Sequence, residues 1–164
     1  MDTYTINTTL FGKLDIPADE GIFEEFTITL GETEMTLNLC IEENFINDSN
    51  LQAITSLIEH IPEMYGKGKQ RIWETRESSE LIRFFVTWHL DNLDGLDEIF
   101  ETEDEVTYDM ITKKLEPRLI RIGQDKHGNI DCVFDFSLPE EYADDLLVVI
   151  FNDKFEIDKM TYES

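Results

Sequence analysis

Residues 22 to 41, IFEEFTITLGETEMTLNLCI, alternate apolar and polar side chains on either side of a Gly31–Glu32 turn. Phe26, Ile28 and Leu30 share one face of the first run, and Met35, Leu37, Leu39 and Ile41 repeat at period two in the second. A strict period of two is the signature of a half-buried strand, so the pair predicts an antiparallel hairpin with one face on a core. An earlier strand is expected over Tyr4 to Leu14, interrupted at Gly12.

The period then changes. Leu51, Ile54, Leu57, Ile58 and Ile61 recur at helical spacing, and Ser49 with Gln52 has the form of a capping box. Pro62 and the GKGKQR stretch interrupt that pattern, with Gly66 and Gly68 arguing against a helix there. A second helix is expected from about Gln70 to Asp91, with Trp73, Glu77, Leu81, Phe84, Phe85 and Trp88 on its face. Its apolar half, LIRFFVTWHL, predicts the central buried helix. The last third returns to strands: Arg118 to Gly123 and Asn129 to Ser137 around a QDKHGN turn, then Leu146 to Phe151 and Glu156 to Tyr162 around NDKF. Pro139 and EEYADD make a break between the two pairs. Strands, then helices, then strands imply an α+β fold with mostly antiparallel sheet: N-terminal strands, central helices and C-terminal strand hairpins. At 164 residues without a linker or repeat, the expectation is one domain over 1–164.

Between the helical and strand-rich parts lies DNLDGLDEIFETEDE, Asp91 to Glu105, in which eight of fifteen residues are carboxylates and none is basic. Leu93, Leu96, Ile99 and Phe100 place a short helix on it. Thr102 with Glu105 suggests a capping box, which would put Glu103, Asp104 and Glu105 in the first turn of a helix running to Leu115. Carboxylates are favoured at such an N-terminus, as Lys113 and Lys114 are at the other end, and Pro117 would close the helix. Asp97, Glu98, Glu101 and Asp104 lie on or beside an outward face with no cation nearby in sequence, and are the candidate partner-binding residues. A calcium loop does not fit: counting back from Gly95 puts Leu90 at the first ligand position.

The net charge of −24 repels nucleic acid and anionic membranes and admits a basic protein partner. No apolar run approaches the length of a membrane span, and the N-terminus lacks the pattern of a signal peptide, so a cytoplasmic location is the expectation. Cys40 and Cys132 sit in strand-like runs and read as reduced core thiols. The residue types of a hydrolytic triad occur at His127, Asp131 and Ser137, but no nucleophile elbow or glycine-rich oxyanion loop accompanies them. His60 falls on the polar side of its helix, and His89 reads as a hydrogen-bonded core or boundary residue. GKGKQR lacks the P-loop pattern. Lys67, Lys69, Arg71 and Arg76 read instead as an exposed loop offsetting nearby acid. No catalytic residue, cofactor or metal ligand is assigned, which places a binding role above an enzyme.

The two ends carry a resemblance. Phe11, Gly12, Lys13 and Leu14 form Phe-Gly-x-Leu, and EYADDLLVVIFNDKFEIDKMTYES ends on Met160, Glu163 and Ser164. In these the chain resembles small acidic bacterial proteins grouped as domain of unknown function two thousand and four. The resemblance implies an α+β fold, no established activity and no catalytic residues. Small acidic proteins of this style include immunity or antitoxin-like partners of secreted toxins. The expected function is therefore a protein-binding module, in its specific form an immunity-like inhibitor of a basic toxin such as a nuclease. A hydrolase-like or nucleotide-handling enzyme built from dispersed acids, and a housekeeping accessory protein, remain as alternatives.

Overall fold

The computed structural model describes residues 3–17, 19–139 and 144–164. The expected break after Pro139 falls partly on residues 140–143, outside the described residues. The fold is α+β. Four strands come first: β1 (Thr3–Thr8), β2 (Gly12–Pro17), β3 (Ile22–Leu30) and β4 (Thr33–Ile41). Five helices follow: α1 (Asp48–Glu59), α2 (Ile61–Thr75), α3 (Glu80–Asn92), α4 (Leu96–Ile99) and α5 (Tyr108–Lys114). Then come β5 (Glu116–Gln124), β6 (Ile130–Ser137), β7 (Leu146–Phe151) and β8 (Ile157–Glu163).

β3 to β8 form one six-stranded sheet in chain order. Every neighbouring pair is antiparallel except β4 and β5. That parallel pair follows from connectivity: all five helices lie between the two strands, and parallel neighbours need such a long crossover. The register aligns Leu37 with Ile120, Leu39 with Ile122, Ile120 with Phe134, and Phe134 with Val149. All are fully or almost fully buried, so these rows form the floor of the core. Leu51, Ile54, Leu57 and Ile58 of α1, Ile61, Met64 and Ile72 of α2, and Ile82, Phe85 and Val86 of α3 form its roof.

The expected first strand is a hairpin of its own. Gly12 adopts φ +79°, a left-handed conformation open to glycine, and β1 and β2 pair across the turn before it as a separate two-stranded sheet. Phe11 stacks on Phe26 at 4.3 Å and joins this hairpin to β3.

Several expectations about the helices are corrected. The N-cap of α1 is Asn47, whose side chain accepts from the Asn50 amide, so Ser49 lies inside the helix. Pro62 ends nothing but α1: it occupies the first turn of α2, where a missing N–H costs no helical bond. α2 runs through both glycines. A Cβ on Gly68 would stand 3.0 Å from Cζ of Phe136, so the bare backbone lets α2 lie close on the sheet. The helix expected from Gln70 to Asp91 is two helices, because Ser79 accepts the Ile82 amide and starts α3. α5 begins at Tyr108, capped by Thr107. Thr102 accepts from the Asp104 amide instead, leaving Glu103 to Glu105 ahead of the helix, not in its first turn. Pro117 lies within β5. α4 and its apolar set occur as expected, with Leu93, Leu96, Ile99 and Phe100 on the core.

Both cysteines are free, but only Cys132 is a core thiol. Cys40 is exposed, because it alternates with the buried Leu39 and Ile41 and so points to the opposite face of β4.

Candidate protein-binding surface

Glycine sets the course of the acidic stretch. Gly95 caps α4 at φ +79°, and Glu101 takes a left-handed φ of 49° as the chain leaves it. The Thr102 amide donates to the Asp97 carbonyl and closes this compact corner. Leu96, Ile99 and Phe100 turn inward, and the polar residues between them turn outward. Asp97, Glu98, Glu101 and Asp104 are all exposed. None of the four takes part in an ion pair among the described residues.

The basic island is arranged differently, on a helix and not on a loop. The Lys69 ammonium contacts Glu116 at 2.5 Å, and the Tyr65 hydroxyl donates to the same carboxylate at 2.6 Å. Burial, followed by the Glu116 bond, pushes the Tyr65 phenol well above its usual range. Lys67 reaches Glu63 at 3.3 Å and donates to the Phe155 carbonyl. Arg76 pairs with Asp109 at 3.0 Å and lies over the Trp73 ring at 3.6 Å. Lys67, Lys69 and Arg76 thus tie α2 to acids and carbonyls, leaving them poorly placed to hold a free anion.

α3 supplies the feature that the sequence pattern misassigned. Its inward side carries Ile82, Phe85, Val86 and His89, all buried. Phe84 and Trp88 were expected on that buried face. Instead Phe84 is 61% exposed and Trp88 is half-buried. Phe84 keeps an edge contact with the Tyr162 ring at 5.5 Å. Arg83, Phe84, Thr87, Trp88, Asp91 and Asn92 line a shallow groove of about 440 Å³. The acidic stretch begins at Asp91, so this aromatic groove and the acid run are continuous along the chain. The spacing itself held a signal for this: a single core stripe uses residues 82, 85, 86 and 89, and Phe84 and Trp88 are four apart on another side.

Among the described residues, the residue types of the candidate triad are not brought together. His127 lies exposed in the β5–β6 turn, while Ser137 ends β6, six residues beyond Asp131. Six strand residues span roughly 20 Å, so the three cannot form a triad. His89 is fully buried. Its Nδ1 lies 2.7 Å from the Phe85 carbonyl and its Nε2 has no partner among the described residues. Desolvation lowers its pKa, so at neutral pH the ring is uncharged with its proton directed at that carbonyl. Buried Asp145 accepts from the Tyr162 hydroxyl at 2.7 Å. Burial and that bond push the phenol up to about 12.

Asp131 is held up at about 6, first by burial and then by the charge of Asp125. Asp125 itself is engaged: its carboxylate accepts from the His127 and Asn129 amides, and the Asn129 bond holds it below the usual carboxylate range. Among the described residues, no group of three or more His, Cys, Asp or Glu side chains is placed to hold a metal ion. Among the described residues, no helix is long and apolar enough to cross a membrane.

No family model matches the chain, and no curated protein or solved structure matches it either.

Proposed function

We propose that this chain is a protein-binding module that neutralises a basic protein, in its specific form an immunity-like inhibitor of a basic toxin. The observation that carries this reading is that the Phe84–Trp88 groove continues along the chain into a run of exposed carboxylates that make no ion pair among the described residues. Interfaces of this kind combine aromatic anchors with a polar rim, and the rim charge governs encounter rate and partner choice more than affinity. On this reading Asp97, Glu98, Glu101 and Asp104 face the basic partner, the chain works in the cytoplasm, and it performs no catalysis. It would then belong with the small acidic bacterial proteins that its two ends resemble. The charge of −24 supports a protein partner over nucleic acid, whose phosphates it would repel.

The test begins with capture of a partner from lysate of the source organism, followed by association kinetics at several salt concentrations. Association should slow as salt rises, since exposed charges are screened beyond about 8 Å at physiological ionic strength. A variant with Asp97→Asn, Glu98→Gln, Glu101→Gln and Asp104→Asn should associate more slowly than the parent. An acidic partner, or a variant that associates as fast as the parent, overturns the reading. Turnover in a screen of phosphate and ester substrates would favour an enzyme instead.

A further inference from the structure

The outward side of α3 has an order beyond mere exposure. Glu80, Phe84, Trp88 and Asp91 stand at i, i+4, i+8 and i+11, which places them along one side of the helix. Glu80 and Asp91 are exposed at its ends, and the two aromatic rings lie between them. From Glu80 to Asp91 the helix rises about 16 Å. Beside this stripe runs the ridge Arg83–Thr87–Asp91, spaced by four residues. Arg83 and Thr87 border grooves on both of its sides. One is the aromatic groove, and the other, of about 540 Å³, is closed across by Tyr108 and Asp109 at the start of α5. A ridge of i±4 residues between two grooves is the relief onto which a second helix packs.

We infer that the outward face of α3 is the docking site for an amphipathic basic helix of the partner protein. The inference rests on the protein-binding reading above and names the partner's chemistry and shape. The occupant presents two apolar side chains to Phe84 and Trp88, and Lys or Arg about one helical turn outside each of them. Charge complementarity selects this occupant. The stripe has an acid at each end, the chain continues from its C-terminal end into a run with no cation up to Glu105, and the whole chain carries −24. A second copy of the same chain would bring acid against acid. The aromatic pair supplies the area that leaves water on docking, and the acids at its ends fix the register of the partner's cations. Arg83 tolerates the arrangement because it stands on the ridge beside the stripe, where an acid or a carbonyl of the incoming helix can meet it.

The probe is a synthetic helical peptide of about 18 residues, roughly 27 Å long. It carries Arg, Leu, Leu and Arg at i, i+4, i+8 and i+11 on an Ala/Gln background. A second peptide has Glu in place of both Arg. Titration into the full-length, isotope-labelled protein, followed by amide chemical shifts, should give perturbations along α3 with the Arg peptide, and binding at least about ten-fold weaker with the Glu peptide. Phe84→Ser should weaken the Arg peptide by about ten-fold or more. Because Phe84 also touches Tyr162, a second variant guards against a folding defect. Glu80→Lys with Asp91→Lys changes only exposed charges, and it should reject the Arg peptide and accept the Glu peptide. No binding of the Arg peptide, equal binding of both peptides, or a Lys variant with unchanged preference overturns the inference. Perturbations confined to Asp97–Asp104 also overturn it, while leaving the basic-partner reading standing. Loss of that broader reading would show separately, in partner association that ignores salt.

Discussion

α2 and the stretch from Asp91 to Glu105 both carry clustered charge, and they use it in opposite ways. On α2, Lys69 shares Glu116 with Tyr65, Arg76 is fixed by Asp109 and Trp73, and Lys67 reaches Glu63 and a carbonyl of the β7–β8 turn. These contacts join α2 to β5, to α5 and to the β7–β8 turn, and one lies within α2 itself. In the acidic stretch, the backbone and the apolar side chains hold the fold, and the carboxylates project into solvent without a cation among the described residues. Lys67, Lys69 and Arg76 are engaged by contacts within the fold. The carboxylates of the acidic stretch make no ion pair among the described residues, and they follow the only helix that exposes a large aromatic side chain among those residues.

Breaking the contacts of an acid that the fold uses should therefore cost most. Deleting Thr161 to Ser164 takes away the Tyr162 partner of Asp145, its ring contacts with Phe84 and Phe85, and the end of the β7–β8 pairing. A loss of about 3 kcal/mol is expected, from lost aromatic packing and an orphaned buried acceptor. That would lower the melting temperature by roughly 6–12 °C. An unchanged melting temperature would break the distinction between used and unused acid. Glu116→Ala comes next, leaving the Tyr65 hydroxyl and the Lys69 ammonium without their shared acceptor. About 2 kcal/mol is expected from urea unfolding.

Asp131 sharpens the comparison, as an acid that folding desolvates without pairing. Its folded pKa of about 6 lies above the unfolded value of about 3.9. The folded state therefore binds the proton more tightly, and this group's contribution to stability rises as pH falls through 6 towards 4. Above pH 6 the charged carboxylate is a net cost. The shift corresponds to about 3 kcal/mol at most, and partial exposure reduces it to about 1–2 kcal/mol. Asp131→Asn should raise the melting temperature at pH 7.5 and lose that advantage near pH 4. A variant less stable than the parent at pH 7.5 would mean that the carboxylate is a paired, structural one.

The sequence disclosed what periodicity controls. The alternation through Ile41 and the helical spacing of Leu51 to Ile61 specify buried faces, because one face must meet the core and the other water. It was weakest where a single contact overrides a local preference. Gly66 and Gly68 argue against a helix, yet Gly68 is what lets α2 meet Phe136. Thr102 and Thr107 both offer caps, and only the placement of Tyr108 against α2, through its bond to the Arg76 carbonyl, favours the second. The exposure of Asp97, Glu98, Glu101 and Asp104 was legible, because a run of carboxylates with no cation nearby in sequence seeks water. Phe84 and Trp88 escape such a reading, because the apolar run LIRFFVTWHL predicts a buried helix without deciding which of its sides meets the core.

The smallest expected effect tests the central claim most directly, that the acid of the Asp91–Glu105 stretch is surplus to folding. It is the melting temperature, at low salt, of the variant carrying Asp97→Asn, Glu98→Gln, Glu101→Gln and Asp104→Asn. Relief of like-charge repulsion is worth a few tenths of a kcal/mol per pair, roughly the reverse of one favourable helical pair. The melting temperature should stay level or rise by about one or two degrees, and the gain should shrink as salt is added. A fall of several degrees would contradict the claim, because it would show that these carboxylates hold the fold together.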